Sequence, residues 1–378
     1  MPMLNAPIAH GASELARVTV VIPTFERRDF VERQCKYWAD QGPQVLILDG
    51  SKTPMESSFT TTLPKNVRYL YSPTSFRHRR FLATNLINTE FAILLPDDEF
   101  YLIGGLLDCV SHLDKNPETI GCTGKVLCFF VEREQFRAFL SYEDWKPFPA
   151  ECRSLRERLD FSLPPSKAHK VEFCLFRSSL WREIFAESYR DEYSCGYVYE
   201  RLLNLCAAIQ GRTDLINSVL LLRSLENPPI NSADAPRTGV NNFISWATSG
   251  MFADETRHYE EKARRIIGSA EELTQHEIEI YVTRFVRGGV QRQIEKERRN
   301  NKKMGPRLTR IVVARVPKKI RRAAKRFLPS QFRNFLDLRG DTIDFATSKL
   351  DDRGIRYDKF ALDSVATLVC QTSRTISM

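Results

Sequence analysis

The first 226 residues alternate short apolar runs with stretches of helical period. "VTVVIPTF" (Val18–Phe25) is a continuous β-branched run, the pattern of a strand covered on both faces. "FVERQCKYWADQG" follows with an amphipathic helical period, and Gly42 stands where a carboxyl cap is expected. "QVLILDGS" (Gln44–Ser51) and "VRYLYS" (Val67–Ser72) read as the next strands. "FRHRRFLATNLIN" reads as a helix and "FAILLPDDE" as a fourth strand. Strand and helix in repeated alternation predict an α/β fold with a mostly parallel sheet and crossover helices on both faces. Further along, "KVEFCLFRSSLWREIF" predicts a strand running into a helix. "YVYERLLNLCAAIQG" predicts a helix closed by Gly211, and "DLINSVLLLRS" another apolar strand.

Beyond Pro228–Pro229 the texture changes. Residues 240 to 299 carry an amphipathic helical pattern rich in Arg and Glu. The expected organisation is a flexible amino terminus (1–16), an α/β domain (17–226), a helical extension (227–300), a basic amphipathic segment (301–336) and a mixed tail (337–378). No internal repeat is present. The whole chain of 378 residues, 42% of them hydrophobic, is long and apolar enough for a sizeable core.

The net charge of +9 is concentrated. Twelve Lys and Arg, with no Asp or Glu, lie between Lys302 and Arg333, so the remainder is near neutral. That distribution removes the case for a general nucleic-acid binder. Within this segment Lys318, Lys319, Arg321, Arg322, Lys325 and Arg326 face away from Ile320, Ala323, Ala324, Phe327 and Leu328 on a helical projection. Such a helix suits an anionic membrane surface, with a solvated helix packed on the rest of the chain or an RNA-binding patch as the alternatives. No apolar run approaches the ~20 residues of a membrane span. The first residues lack the basic-then-apolar pattern of a secretory signal. The nine Cys are irregularly spaced and mostly in apolar contexts, as expected of reduced thiols in a cytoplasmic protein.

Three consecutive carboxylates, Asp97, Asp98 and Glu99, end the strand "FAILLP". They admit three readings: a solvated turn, a general acid/base pair, or an oxygen-rich site for Mg²⁺ or Mn²⁺ completed by substrate phosphate. The same sheet edge offers Asp49 as an acceptor for a base or ribose. Arg77, His78, Arg79 and Arg80 open the helix before the acidic strand, where cations could approach a diphosphate. The plain alternative for each arginine is a solvated helix face.

"VTVVIPTFERRDFVERQ", "VLILDGS" and "FAILLPDDEF", in this order and spacing, resemble the nucleotide-binding half of glycosyltransferase family 2 enzymes with the GT-A fold. "EFCLFRSSLWREIF" resembles that family's strand ending in F-R, and "YVYERLLNLCAAIQG" its acceptor-side helix. The resemblance runs from Arg17 to Glu226. It implies a GT-A, Rossmann-like sheet and inverting transfer of a sugar from a nucleotide-diphosphate donor to a hydroxyl acceptor. The expected acceptor is a bacterial surface glycan or a lipid-linked glycan.

By that resemblance Pro23, Thr24, Phe25, Glu26, Arg27, Asp49, Ser51, Arg77, Arg80 and Asp97 would line the nucleotide-sugar site. Asp98 and Glu99 would hold Mn²⁺ or Mg²⁺, because Pro96 replaces the first Asp of the family's D-x-D. Glu200 falls at the catalytic base position, preceded by Tyr199 where the family has an acid, and Asp191 and Glu192 are rival bases. The Q-x-x-R-W motif of processive synthases is absent, which implies single transfer. The expected location is the cytoplasm, peripheral on the inner face of the cytoplasmic membrane. Two alternatives stand beside this reading: an inactive GT-A-like binding protein, and a nucleotidyltransferase, which usually needs a Gly-rich phosphate loop that "IPTFERRDF" lacks. Aromatic residues in "FLSYEDWKPFPAE", within the loop from Glu132 to Lys170, are suited to stacking on sugars or, equally, to an aromatic core.

Overall fold

A computed structural model describes residues 13–132, 134–149, 152, 154–163, 171–227, 243–303 and 341–376. In chain order the elements are β1 (Val18–Thr24), α1 (Arg28–Trp38), β2 (Gln44–Asp49), α2 (Ser57–Thr60), β3 (Val67–Tyr71), α3 (Phe76–Ala83), β4 (Phe91–Leu94), β5 (Phe100–Tyr101) and α4 (Ile103–Lys115). Then follow β6 (Thr119–Glu132), β7 (Gln135–Ser141), α5 (Leu155–Ser162), a 3₁₀ turn (Val171–Phe173), β8 (Leu175–Arg177), α6 (Ser178–Tyr189), α7 (Gly196–Gln210) and β9 (Arg212–Ser224). The remaining elements are α8 (Phe243–Thr248), α9 (Ala253–Gly268), α10 (Gln275–Lys303), β10 (Asp341–Thr342), α11 (Ile343–Asp352) and α12 (Lys359–Ile376).

All form one α/β molecule around a ten-stranded mixed sheet, with the main order β10-β7-β6-β8-β4-β1-β2-β3 and β9 pairing with β5 and β6. The expected parallel half is present: β1 pairs in parallel with β2 and β4, and β2 with β3. The other half contains the antiparallel pairs β6–β7, β6–β8 and β4–β8.

The continuous apolar runs have a direct cause. Successive side chains of a strand point to opposite faces, and both faces are covered. Val18, Val20, Ile22, Val45, Ile47, Phe91 and Ile93 join α1, α4 and α12 in one core. Val21, Leu46, Leu48, Ala92 and Leu94 join α3 and α5 to α10 in the other. The last helix sets Leu362, Val365 and Val369, all fully buried, into the first core.

Two helix ends differ from expectation. Helix α1 stops at Trp38, and Asp40, not Gly42, supplies the left-handed residue just beyond its cap (φ 59°). Gly211 does close α7, but its φ of 165° is extended backbone. The requirement there is space, since a Cβ at Gly211 would lie 2.4 Å from Ile120 Cγ2.

Candidate functional site

Parallel pairing aligns the carboxyl ends of β1, β2 and β4. Thr24 stands opposite Asp49 in the register, and Leu95 N donates to Val21 O (2.9 Å), carrying the β4 chain along β1 to the acidic turn. Ligands of such sheets bind just beyond these ends. Pro23 lies in the strand opposite Leu48. Asp49 is buried and anchored on both oxygens: Oδ1 accepts from Ser51 N (2.8 Å) and Oδ2 from Tyr69 OH (2.6 Å).

Phe25 is half exposed, and Glu26 has left-handed backbone with φ 55°. This conformation costs a non-glycine residue roughly 1 kcal/mol. Two contacts hold it: Glu26 N donates to Ser51 Oγ (2.7 Å), and Lys52 N donates to Glu26 Oε1 (2.8 Å). The bend turns Arg27 back toward the acidic turn.

That turn is held from below by α1. Gln34 is fully buried; its Nε2 donates to the main-chain oxygens of Asp97 (2.9 Å) and Glu99 (2.7 Å), while Trp38 Nε1 donates to its Oε1 (2.8 Å). Arg33 Nη2 donates to Asp98 O (3.3 Å) and pairs with Glu226 Oε2 (2.9 Å). Thr24 Oγ1 donates to Asp97 Oδ2 (2.7 Å) and Arg27 Nη1 to Asp97 Oδ1 (2.8 Å). The same Arg27 Nη1 lies 3.5 Å from Asp98 Oδ2, which also accepts from Asn227 Nδ2 (2.5 Å). Burial raises the pKa of Asp97 to about 6 against the opposing pull of Arg27. Burial also lifts Glu99 well above the carboxylate range. Glu99 Oε1 is 3.6 Å from Arg223 Nε, and its buried Oε2 has no hydrogen-bond partner.

These positions bear on the expected Mg²⁺ or Mn²⁺ site. Asp98 and Glu99 turn to different partners, and the guanidinium of Arg27 fills the space between the Asp97 and Asp98 carboxylates. As arranged, the turn does not fit a cation shared by its carboxylates.

The basic start of α3 splits by direction. Arg77 Nη1 donates to Tyr189 O (2.9 Å) and Arg190 O (2.8 Å). Arg80 donates to Tyr189 OH and to Glu172 Oε1 (3.0 Å), and stacks on Phe76 at 3.8 Å. Both tie α3 to the elements around it, and Glu172, the partner of Arg80, is near enough to the acidic turn for its charge to act on Glu99. Arg79 faces the strand ends. It donates to Thr74 O, its buried Nε has no partner, and Gly50 leaves room for it: a Cβ there would lie 1.6 Å from Arg79 Nη1. Burial lowers its pKa, opposed by the charges of Asp49 and Asp97.

The three candidate bases occupy different settings. Asp191 Oδ2 accepts from Lys262 Nζ (2.5 Å), with His258 Nε2 at 3.5 Å. Glu192 is 74% exposed and 4.0 Å from Arg77. Glu200 is half-buried in the first turns of α7, near Tyr189, whose pKa is raised chiefly by burial and to a smaller extent by the Glu200 charge. Tyr199 stacks on Tyr189 with centroids 5.0 Å apart, and its OH accepts from Tyr193 N (2.9 Å). Beside Glu99, Arg223 lies over the ring of Tyr142 (5.4 Å), which stacks on Trp145 (4.4 Å).

Gln34, Arg33, Arg223 and Asn227 did not stand out in the sequence. A signal existed for the first two: they are polar residues inside the apolar face formed by Val31, Cys35 and Trp38. The basic segment with Lys318, Lys319, Arg321, Arg322, Lys325 and Arg326 lies outside the described residues. Among the described residues, no helix is long and apolar enough to cross a membrane.

Fold and site together define an α/β protein with a polar, charge-lined edge at the carboxyl ends of its parallel strands. The chain is similar to the crystal structure of S. aureus TarS 1–349, with a TM-score of 0.45 and 12% identity, over 72% of this chain and 71% of that one. The same TarS segment in complex with UDP-GlcNAc matches at a TM-score of 0.45 and 12% identity, over 72% of each chain. In complex with UDP it matches at 0.42 and 11%, over 71% and 70%. No family model matches the chain, and no curated protein does.

Proposed function

We propose that this protein is a GT-A-type glycosyltransferase that moves a sugar from a nucleotide-diphosphate donor to a hydroxyl acceptor with inversion. One observation carries the reading. Asp49 and Asp97, both buried at strand ends on either side of β1, are accompanied by two guanidiniums: Arg27 pairs with Asp97 at 2.8 Å, and Arg79, lodged against Gly50, feels the charges of both carboxylates. Carboxylates suit the hydroxyls and N–H groups of a nucleoside, and guanidiniums suit the oxygens of a diphosphate. The motifs "VTVVIPTFERR", "VLILDGS" and "FAILLPDDEF" supply Arg27, Asp49 and Asp97 in the family's order, and Arg79 comes from the helix between the last two.

In the proposed reaction the acceptor oxygen attacks the anomeric carbon from the face opposite the diphosphate. The bond from that carbon to the phosphate oxygen breaks, and its electron pair leaves with the diphosphate. The acceptor's proton passes to a carboxylate, assigned here to Glu200, which contributes ~10²–10⁴-fold. Its rivals support this assignment by their surroundings: Asp191 is committed to Lys262, and Glu192 stands in water. The stacked Tyr142 and Trp145 offer an apolar platform for a sugar ring beside Glu99. The acceptor is proposed to be a surface glycan or a lipid-linked glycan, reached at the inner membrane face through the basic segment.

The test is a nucleotide-sugar panel read by thermal shift and slow donor hydrolysis. Stabilisation by one donor that disappears in Asp49→Ala and Asp97→Asn is the expected result. Folded protein stabilised by no nucleotide sugar refutes the proposal and leaves the strand ends as a binding surface of another kind.

A further inference from the structure

The acidic turn already holds a counter-ion from its own chain. Arg27 Nη1 lies 2.8 Å from Asp97 Oδ1 and 3.5 Å from Asp98 Oδ2. A Mg²⁺ ion shared by these carboxylates needs oxygens at roughly 2.0–2.1 Å, in the space that Nη1 fills. Other contacts bind the same groups: Thr24 Oγ1 on Asp97 Oδ2 at 2.7 Å, and Asn227 Nδ2 on Asp98 Oδ2 at 2.5 Å. The third acid, Glu99, pairs with Arg223. Among the described residues, no three His, Cys, Asp or Glu side chains converge as a metal site. Nor is Arg27 there by accident of a loose side chain. The left-handed Glu26 before it is stitched to Ser51 and Lys52, and Arg27 itself opens α1, so both sides of the residue are fixed.

We propose that Arg27, and not a divalent cation, neutralises the Asp97–Asp98 pair, and that Arg27 and Arg79 receive the donor diphosphate without metal. The first half concerns the turn alone; the second rests on the nucleotide-sugar reading above. A fixed guanidinium and a Mg²⁺ or Mn²⁺ ion compete for one place, since like charges at this separation repel.

The experiment uses the full chain, stripped with EDTA and desalted, then titrated with MnCl₂ by calorimetry and by the paramagnetic resonance signal of free Mn²⁺. Binding weaker than about 1 mM is expected for the wild type. Arg27→Gln restores the second negative charge and should bind Mn²⁺ at least about tenfold more tightly, while Arg27→Lys keeps the charge and should stay weak. Thermal melts show which variants are folded. Micromolar Mn²⁺ binding by the wild type, removed by Asp98→Asn, overturns the proposal. In a second arm, the best nucleotide sugar of the panel is titrated in EDTA and in 5 mM-scale Mn²⁺ (about that concentration serves to saturate a weak site). Affinities within about threefold support metal-free recognition; a gain beyond about tenfold with Mn²⁺ overturns it. Failure of the nucleotide-sugar reading has a different signature. No nucleotide sugar binds in either buffer, which overturns the diphosphate half, while the manganese titrations still decide the counter-ion half.

Discussion

Two acidic clusters in this protein use the same residue types to opposite ends. Between α6, α7 and α9, Lys262 Nζ lies 2.5 Å from Asp191 and 3.9 Å from Glu187, and Arg265 donates to Glu187 at 2.9 Å. Nearby, Glu255 accepts from Ser194 N, Ser194 Oγ and Trp246 Nε1 at 2.8, 2.6 and 2.9 Å. Burial works to raise both Asp191 and Glu255, but these donors outweigh it and hold both below the usual range. At the strand ends the balance reverses. Burial outweighs Arg27 at Asp97 and Arg223 at Glu99, and Glu99 Oε2 and Arg79 Nε have no partners. The carboxylates of the helical cluster are fully partnered within the chain and fasten helices together, although the buried Tyr193 hydroxyl beside them has no partner. The strand-end cluster is left incompletely satisfied, as expected where a ligand supplies the remaining contacts.

The contrast is sharpened most by the proposed base. Glu200→Gln should cut transfer by ~10²–10⁴-fold while leaving the melting temperature and donor affinity near wild type. Full activity in this variant returns the base to Asp191 or Glu192. Lys262→Met works on the other cluster. The Lys262 side chain is wholly buried, and removing one partner of such a pair costs on the order of 3 kcal/mol. Denaturant unfolding should show that loss, with turnover per folded molecule unchanged. Lost turnover in folded Lys262→Met breaks the comparison, because Asp191 would then serve the reaction.

A smaller effect is expected at Gly50. A Cβ 1.6 Å from Arg79 Nη1 forces the guanidinium aside. Gly50→Ala should therefore weaken nucleotide-sugar binding by about tenfold, the order of one charge-assisted hydrogen bond. Unchanged affinity in a folded Gly50→Ala removes Arg79 from the ligand edge.

The parallel half of the fold was legible in the sequence because burial on both faces leaves a continuous apolar run, as in β1, β2 and β4. The acidic turn was legible because three carboxylates at a strand end are unusual. The long strand β6 was not, because Gly121, Gly124 and Lys125 interrupt its apolar pattern. Those glycines answer to neighbours the sequence does not display: a Cβ at Gly121 would lie 2.7 Å from Phe176 Cδ1, and one at Gly124 2.4 Å from Ser218 O. Within the site, residue type alone could not separate Arg79 from Arg77 and Arg80. All three open one helix, and their directions depend on Gly50, Glu172 and Tyr189, from three distant parts of the chain. Gln34 was hidden for a related reason, since its partners are main-chain oxygens.

The smallest predicted effect tests the electrostatic side of the comparison. Asp97 has an ordinary carboxyl pKa of 3.8 when unfolded and about 6 when folded, with burial as the main cause. Between these values the folded chain holds a proton that the unfolded chain has released. This group therefore favours the folded state more as pH falls through about 6 toward 4, and that contribution is lost as pH rises through 6. Asp97→Asn cannot titrate and lacks the contribution. The melting temperature of the wild type minus that of Asp97→Asn should increase by about 1–2 °C when the pH is lowered from about 7.5 to about 5. Taking this difference cancels the titration of all groups the two proteins share. A difference that falls at low pH has the opposite sign: Asp97 would then be stabilised as a carboxylate by Arg27, as Asp191 is by Lys262, and the two clusters would be of one kind.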